Sequence, residues 1–303
     1  MSTRSGGTPA IGAVVTAMVT PFTADGAMDL DGAQRLARHL VESGTDTVLV
    51  NGTTGESPTL HGQAPWELLA AVKEAVGSDG TVMIGTGSND TAKTVATTMQ
   101  ATDAGADAVL VVTPYYNKPQ QNGLVAHFRA AAEATDLPVL LYDVPGRTAL
   151  SLSVATVTEL SGLPNVVGVK DATGDIGKAA DVRLATLDAP GGFDLWSGSD
   201  EVNLPILAVG GIGVVSVSAH LAGPEIAEMV RVFPTDPARA LELHLRCQPL
   251  HRALFIESSP APLKGALNQL GLPAGPVRGP LADASAETVK AVLGAYEAIE
   301  AKR

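Results

Sequence analysis

The sequence predicts a closed (β/α)₈ barrel, a TIM barrel, with a helical appendage at its carboxyl end. Eight short apolar runs recur roughly every 20 to 35 residues, and helix-like segments separate them, as expected of repeated βα units. The runs read as parallel strands that are covered on both faces. A fragment of one unit, GTDTVLV at 44–50, recurs as GADAVLV at 105–111. Eight units within about 220 residues favour a closed barrel over an open sheet.

The elements follow one another in a regular order. The first apolar run covers 13–22, and turn-forming residues follow it in TADGAMD. A helix is predicted over 30–41, because Leu36 and Leu40 share one face and Gly44 can end the helix. The second apolar run, TVLVNGTTGES, ends in glycines and small hydroxyl residues. The other six runs begin at Val82, Ala108, Pro138, Val166, Phe193 and Gly213.

The division of the chain follows from this order. We predict a flexible leader over 1–11, the barrel over 12–222 and a C-terminal helical extension over 223–303 that packs on the barrel. The extension is predicted because the pattern from residue 223 onward is helical only. A chain of 303 residues with 45% hydrophobic residues can bury a large core, and α/β barrels of this length are commonly one domain.

Composition excludes several classes of partner. A net charge of -12 argues against nucleic acid and anionic membrane surfaces, both of which require a basic patch. No run approaches the roughly 20 apolar residues of a spanning helix, so no membrane association is expected. Cys247 is the only cysteine, which favours a reducing compartment, and we predict a cytoplasmic protein. The six histidines show no HxH or HExxH spacing, so no metal site is predicted.

One lysine, Lys170, interrupts an apolar run. It lies within VVGVKDATG at 166–174, near the end of the predicted sixth strand. Burial disfavours a charged ammonium and therefore favours the free amine, which can attack a carbonyl carbon and form a Schiff base. The alternative is a strand-end lysine that pairs with a carboxylate such as Asp171. Polar residues at the ends of other predicted strands favour the first interpretation.

Those polar residues follow the strands at the end where parallel barrels hold their active sites. They are Thr53, Thr54, Glu56, Tyr115, Tyr116, Tyr142, Arg147 and Ser197. A tyrosine backed by a threonine can carry protons to and from an imine, and Tyr142, Thr53 and Tyr116 are available for that role. Backbone amides at Thr53 and Thr54 could bind the carboxylate of a small 2-oxo acid, and Arg147 could bind a second carboxylate. Each residue alone could instead shape a turn or pair with a surface acid.

Seven segments of the chain resemble one known family. They are GTTGES (52–57), TPYYNKP (113–119), YDVPGRT (142–148), GVKDATG (168–174), SGSDE (197–201), GVVSVSAH (213–220) and ESSPAPLK (257–264). In this order they are similar to the dihydrodipicolinate synthase family of pyruvate-dependent class I lyases and aldolases. The match covers nearly the whole chain and is therefore specific for that superfamily.

The resemblance implies a lyase reaction on a TIM barrel. Pyruvate would be bound as a Schiff base on Lys170 and would condense with L-aspartate 4-semialdehyde, giving 4-hydroxy-tetrahydrodipicolinate for the synthesis of diaminopimelate and lysine. No cofactor is implied beyond this covalent pyruvate imine. Family members are usually homotetramers, built as dimers of tight dimers.

The resemblance also assigns roles to single residues. Tyr142, Thr53 and Tyr116 would form the proton relay, and Arg147 would hold the carboxylate of the semialdehyde. The positions around bound pyruvate correspond to Thr54, Gly198 and Val215. A tyrosine at the position of Tyr115 reaches across the tight-dimer interface in the family. Which of the two neighbouring tyrosines completes another subunit's site stays open.

The chain departs from the family pattern in two places. Asp143 stands where the family more often has asparagine, and it should point away from the site because it directly follows Tyr142. The positions at which lysine-inhibited members carry two histidines and an acid are Gly62, Pro65 and Lys93 here. A cation at Lys93 would repel the ammonium groups of lysine. We therefore expect weak or absent feedback by lysine.

Two other functions fit parts of the pattern. A pyruvate-dependent aldolase of the sugar-acid or sialic acid lyase type would share Lys170. Its acceptor, however, calls for a group other than Arg147 after the tyrosine. A non-catalytic protein that binds a keto acid would have no reason to keep the complete set of Lys170, Tyr142 and Thr53.

Overall fold

Eight parallel strands close into a barrel in chain order, which confirms the predicted fold class. The structure is a computed structural model that describes residues 11–303, so the predicted leader lies outside the described residues except for Ile11. The strands are β1 (Val14–Ala17), β2 (Thr47–Val50), β3 (Thr81–Gly85), β4 (Ala108–Val112), β5 (Val139–Asp143), β6 (Val166–Asp171), β7 (Asp194–Ser197) and β8 (Gly213–Ser216).

Helices separate the strands and fill the carboxyl end of the chain. The helices between the strands are α1 (Leu30–Glu42), α2 (Ala64–Val76), α3 (Thr91–Asp103), α4 (Gln121–Glu133), α5 (Pro145–Thr148), α6 (Val154–Leu160), α7 (Ile176–Ala185) and α8 (Asn203–Ala208). After the last strand come α9 (Ala219–Val232), α10 (Pro237–Ala253), α11 (Ala261–Gln269) and α12 (Ala286–Glu300). The C-terminal helices that the sequence predicts are therefore present.

Backbone contacts divide the chain into two compact units. One is built mainly from Met83–Val215 and the other from Val14–Val82 together with Ser216–Arg303. In the first unit, β5 lies beside β6 with Tyr142 next to Lys170, and β6 lies beside β7 with Lys170 next to Trp196. In the second unit, α9 packs against β1 and α1, while α10 and α12 pack together. Helix α9 thus contacts the first βα elements of its own unit, and α10 and α12 pack against α9.

The first strand is shorter than its apolar run. The sequence predicts a strand-like run over 13–22, but the strand ends at Ala17. The backbone N–H of Val19 donates to Nε2 of His220 at 3.2 Å, and that of Phe22 donates to the carbonyl of Ala274 at 3.0 Å. These residues are buried by the C-terminal segment instead of by neighbouring strands, so apolar composition alone overestimates the strand length.

The predicted boundary at residue 222 coincides with a bend. Helix α9 crosses it, and Ala222 has a non-helical backbone conformation inside that helix (φ -115°, ψ 32°). The division into a barrel and an extension stays a prediction. None of the helices formed by residues 11–303 is long and apolar enough to cross a membrane.

Candidate active site

Lys170 and Tyr142 form the centre of the candidate site. They are neighbours across β5 and β6, and each is 5% exposed. The ammonium nitrogen of Lys170 lies 4.1 Å from the centre of the Tyr142 ring, within the range of a cation–π contact. The structure therefore confirms that Lys170 is a buried lysine beside a tyrosine.

The alternative pairing of Lys170 with Asp171 is wrong. The two residues are adjacent in β6, so their side chains point to opposite faces of the strand. Asp171 Oδ1 instead accepts hydrogen bonds from Thr173 N at 2.8 Å and from Thr173 Oγ1 at 2.6 Å. Burial raises the pKa of Asp171, and these two hydrogen bonds oppose that effect.

The absence of a side chain at Gly198 leaves space for the Lys170 side chain. A Cβ atom at Gly198 would lie 2.9 Å from Cγ of Lys170 and 3.0 Å from the carbonyl oxygen of Asp171, both closer than normal contact. The backbone N–H of Gly198 donates to that same carbonyl oxygen at 2.6 Å. A larger residue would displace Lys170, so the loop after β7 needs glycine here.

The candidate site residues of the first unit differ in how far they are exposed to solvent. Val215 in β8 is 2% exposed, and Ser197 at the end of β7 is fully buried, with its hydroxyl donating to the carbonyl of Ser199. Arg147 lies on α5 with an exposed side chain. Tyr115 and Tyr116 follow β4 and are 37% and 88% exposed. Tyr116 also has a left-handed backbone conformation (φ 75°), which is uncommon outside glycine.

In the second unit, the turn at 52–57 carries the predicted carboxylate-binding residues. Thr54 is 6% exposed, and Thr53 is partly buried. The carbonyl of Thr53 accepts the N–H of Glu56, which has a left-handed backbone conformation (φ 57°). The Glu56 carboxylate accepts hydrogen bonds from Lys264 Nζ at 2.9 Å and from the backbone N–H of Arg278 at 2.8 Å. Glu56 therefore ties this turn to the C-terminal segment of its unit.

Two buried lysines in the described chain differ in their surroundings. Lys264 Nζ donates to Glu56, to the carbonyl of Thr20 at 3.0 Å and to that of Pro276 at 2.6 Å, which uses all three of its donors. Burial lowers the pKa of Lys264, and Glu56 opposes this by favouring the ammonium. Lys170 faces the ring of Tyr142 instead of a carboxylate.

Four histidines of the described chain, His127, His220, His244 and His251, are buried. His220 donates from Nδ1 to the carbonyl of Val217 at 2.8 Å and accepts at Nε2 from Val19, which fixes its tautomer. His251 Nδ1 bonds with Ser218 Oγ at 2.8 Å. Within 11–303, no three His, Cys, Asp or Glu side chains come together as metal ligands would.

Sequence reasoning missed Lys264 as a structural residue. It lies in ESSPAPLK, a segment that carries the family resemblance, but no role follows from the motif itself. A local signal exists, because Lys264 lies at helical spacing from the buried residues Ala261 and Leu267 on α11. A lysine on the buried face of a helix requires a buried acid as its partner.

Comparisons with known proteins give a consistent result. The sequence model of the dihydrodipicolinate synthetase family matches residues 10–299. A relative from a Synechococcus species, named 4-hydroxy-tetrahydrodipicolinate synthase, is 51% identical over 290 residues, which cover 95% of each chain. The crystal structure of the synthase from Cyanidioschyzon merolae with lysine bound has a TM-score of 0.93 at 43% identity, covering 96% of this chain and 99% of that one. A chloride-inhibited synthase from Acinetobacter baumannii complexed with pyruvate has a TM-score of 0.91 at 36% identity, with coverages of 96% and 99%.

Proposed function

Because the chain belongs to the dihydrodipicolinate synthetase family, we propose that Lys170 carries pyruvate as a Schiff base during its reaction. The protein is a lyase of lysine and diaminopimelate biosynthesis that condenses pyruvate with L-aspartate 4-semialdehyde to give 4-hydroxy-tetrahydrodipicolinate. The observation that supports Lys170 is its place under the Tyr142 ring, with space provided by Gly198. The other buried lysine, Lys264, has all three donors engaged.

The proposed reaction begins with attack of the Lys170 amine on the keto carbon of pyruvate. Loss of water gives the imine, and loss of a proton from the pyruvate methyl group gives an enamine. The enamine carbon attacks the aldehyde carbon, the aldehyde oxygen takes up a proton to become the hydroxyl group, and the imine to Lys170 forms again. The amino group of the condensed product then displaces Lys170 and closes the ring. No separate cofactor takes part, since the imine itself accepts the electron pair that is left when the pyruvate methyl group loses its proton.

Proton transfer requires groups beside the imine nitrogen. We assign this relay to Tyr142, Thr53 and Tyr116, of which Tyr142 is the buried neighbour of Lys170. Thr54, Gly198 and Val215 are assigned to the pyruvate pocket. Backbone amides of the turn at 52–57 suit the pyruvate carboxylate, because oriented N–H groups bind anions without a buried cation.

Borohydride trapping tests the covalent step. Reduction in the presence of pyruvate should convert the imine into a stable secondary amine, and peptide mass spectrometry should find the added mass on Lys170. Attachment to any other residue, or no attachment at all, would remove the basis of the proposal.

Arg147 separates the synthase from a sugar-acid or sialic acid lyase. We propose that its planar guanidinium binds the carboxylate of the semialdehyde, and its exposed position on α5 leaves it accessible to a second substrate. Replacing Arg147 by alanine should raise KM for the semialdehyde by about tenfold or more, which corresponds to one lost charge-assisted hydrogen bond. Steady-state kinetics with each substrate varied in turn measures this, and an unchanged KM would favour the other lyases.

We also propose that the protein is a homotetramer of tight dimers. Tyr116 supports this, because a large aromatic side chain that is 88% exposed on a left-handed backbone is typical of a contact with another molecule. Tyr115 beside it is also exposed. A cytoplasmic location is proposed from the single cysteine of the sequence, Cys247, which is buried and can form no disulfide within the chain.

Weak feedback by lysine is a further expectation. The positions that correspond to the effector site of inhibited relatives hold Gly62 and Lys93, both exposed, and Pro65, which is buried in the first turn of α2. Lysine at a concentration of about 1 mM should therefore reduce the rate by less than about twofold, because Lys93 repels a cationic effector. Initial rates over a lysine titration measure this, and strong cooperative inhibition would contradict it.

A further inference from the structure

A cluster of polar residues lies on the face of β5 and β6 that is opposite to the candidate site. Asp143 directly follows Tyr142 in β5, and Asp171 directly follows Lys170 in β6, and the two acids are register partners. Since side chains alternate along a strand, both acids lie on the face opposite to Tyr142 and Lys170. Asp143 therefore points away from the site, as the sequence predicts, but it is 1% exposed and engaged by several donors.

The donors to Asp143 come from two places in the chain. Its Oδ2 atom accepts hydrogen bonds from Ser151 Oγ at 2.8 Å and from the backbone N–H of Leu152 at 3.1 Å. Lys178, on α7, donates to the same oxygen at 2.5 Å and to Ser151 Oγ at 2.8 Å. The Lys178 side chain is only 16% exposed, so this ion pair is screened little by solvent.

These bonds join the two ends of the segment at 143–152, because Ser151 and Leu152 donate to Asp143. Asp143 stands at its start, Leu152 at its end, and α5 with Arg147 lies between them. Within the segment, Thr148 Oγ1 donates to the carbonyls of Val144 at 3.1 Å and Leu150 at 2.7 Å. The backbone that presents Arg147 is therefore held at both ends and in the middle.

We propose that Asp143 and Lys178 are positioning residues, which fix this segment and thereby set the affinity of Arg147 for the second substrate. Neither residue touches the Lys170 side of the strands, so each acts through the loop and not on the imine. The proposal rests on the proposed function, in which Arg147 binds the carboxylate of the semialdehyde.

The lysine explains why an aspartate suits this position. A neutral asparagine could accept the hydrogen bonds of Ser151 and Leu152, but it would leave the Lys178 ammonium without its charged partner. Lys178 also lies close enough to Asp171 to lower the pKa of that acid, against the raising effects of burial and of Asp143. Lys178 thus pairs with Asp143 and also favours the charged form of Asp171, although burial still raises the pKa of Asp171 overall.

Three variants test the proposal. Asp143→Ala and Lys178→Met should each raise KM for the semialdehyde about tenfold, while KM for pyruvate and the rate of borohydride trapping stay within twofold of wild type. The double variant Asp143→Asn with Lys178→Met keeps acceptors for Ser151 and Leu152 and leaves no unpaired charge. It should therefore recover most of the affinity for the semialdehyde, which a role in stability alone would not predict.

A matched control is Glu225→Gln. Glu225 on α9 is 4% exposed and pairs with Arg303 at 2.7 Å, so this change also removes the buried acid of an ion pair, but in the other compact unit. It should lower the melting temperature without changing KM for the semialdehyde. The same KM increase in Glu225→Gln and Asp143→Ala would overturn the proposal.

The outcome with Arg147→Ala separates two kinds of failure. If Arg147→Ala leaves KM for the semialdehyde unchanged, the role of Arg147 in the proposed function is wrong. If Arg147→Ala raises that KM while Asp143→Ala and Lys178→Met do not, the positioning role is wrong and the proposed function stands. A loss of trapping in Asp143→Ala and Lys178→Met would equally overturn it, because the residues would then act on the imine.

Discussion

Replacing Lys170 by methionine is expected to abolish both turnover and the attachment of pyruvate. Methionine keeps most of the apolar volume beside Tyr142 but removes the amine, so the fold should survive while the imine cannot form. The loss of a covalent nucleophile lowers kcat by roughly a thousandfold or more. A coupled assay and mass spectrometry after borohydride reduction measure the two effects on one sample.

The control for this variant is an exposed lysine. Lys290 on α12 is exposed, and Lys290→Met should leave the rate and the pyruvate attachment unchanged. Pyruvate still attached to the Lys170→Met protein would show that another lysine forms the imine. Lys264 is the only other lysine in the described chain that is buried to a similar degree, so its peptide should be examined first.

Much of the fold is predictable because parallel strands in this chain are continuous apolar runs between helices. The eight runs found in the sequence each coincide with one observed strand, although β3 begins one residue before its run, at Thr81, and the helix predicted over 30–41 ends within one residue of α1. Gly44 has the positive φ (97°) expected of a glycine that follows a helix. Strand length is less predictable, because Val19 and Phe22, which follow Ala17, donate their backbone N–H groups to the C-terminal segment and not to a neighbouring strand.

The site is predictable where one residue carries the chemistry. A lysine within an apolar strand is unusual enough to single out Lys170, and the structure places it, buried, beside Tyr142. The alternation of side chains also predicts that Asp143 points away from the site. The alternation of side chains cannot predict the partner of Asp143. That partner, Lys178, is 35 residues away in the chain and reaches Asp143 only in the folded protein.

The partner of Glu56 is likewise not predictable from the local sequence. In the sequence it is a polar residue after a strand, and nothing near it indicates whether it serves the substrate or the fold. Its partner Lys264 is 208 residues away, and that distance makes the pair invisible to local patterns. Buried pairs of opposite charge are rare in cores, so a lysine on the buried face of α11 indicates that an acid must be found elsewhere.

Replacing Lys264 by methionine is expected to destabilise the protein strongly. Both side chains of the Lys264–Glu56 pair are 1% exposed, so the change leaves the Glu56 carboxylate buried, with the backbone N–H of Arg278 as its remaining hydrogen-bond donor in the described chain. Breaking a buried ion pair from one side costs about 3 to 5 kcal/mol, because the remaining charge is not compensated. The carbonyls of Thr20 and Pro276 lose a donor as well. A fall in Tm of at least about 5 °C should be measurable by calorimetry.

A double-mutant cycle shows whether the uncompensated charge is the cause. Adding Glu56→Gln to Lys264→Met removes the buried charge and should return about 1 to 3 kcal/mol of the lost stability. The surface pair Arg129–Glu159 is the matched comparison, since its side chains are 40% and 55% exposed. Arg129→Met should cost less than about 1 kcal/mol, because solvent screens an exposed pair. If Lys264→Met costs no more than Arg129→Met, the pair does not hold the turn at 52–57 to the C-terminal segment, and the conformation of Glu56 has another cause.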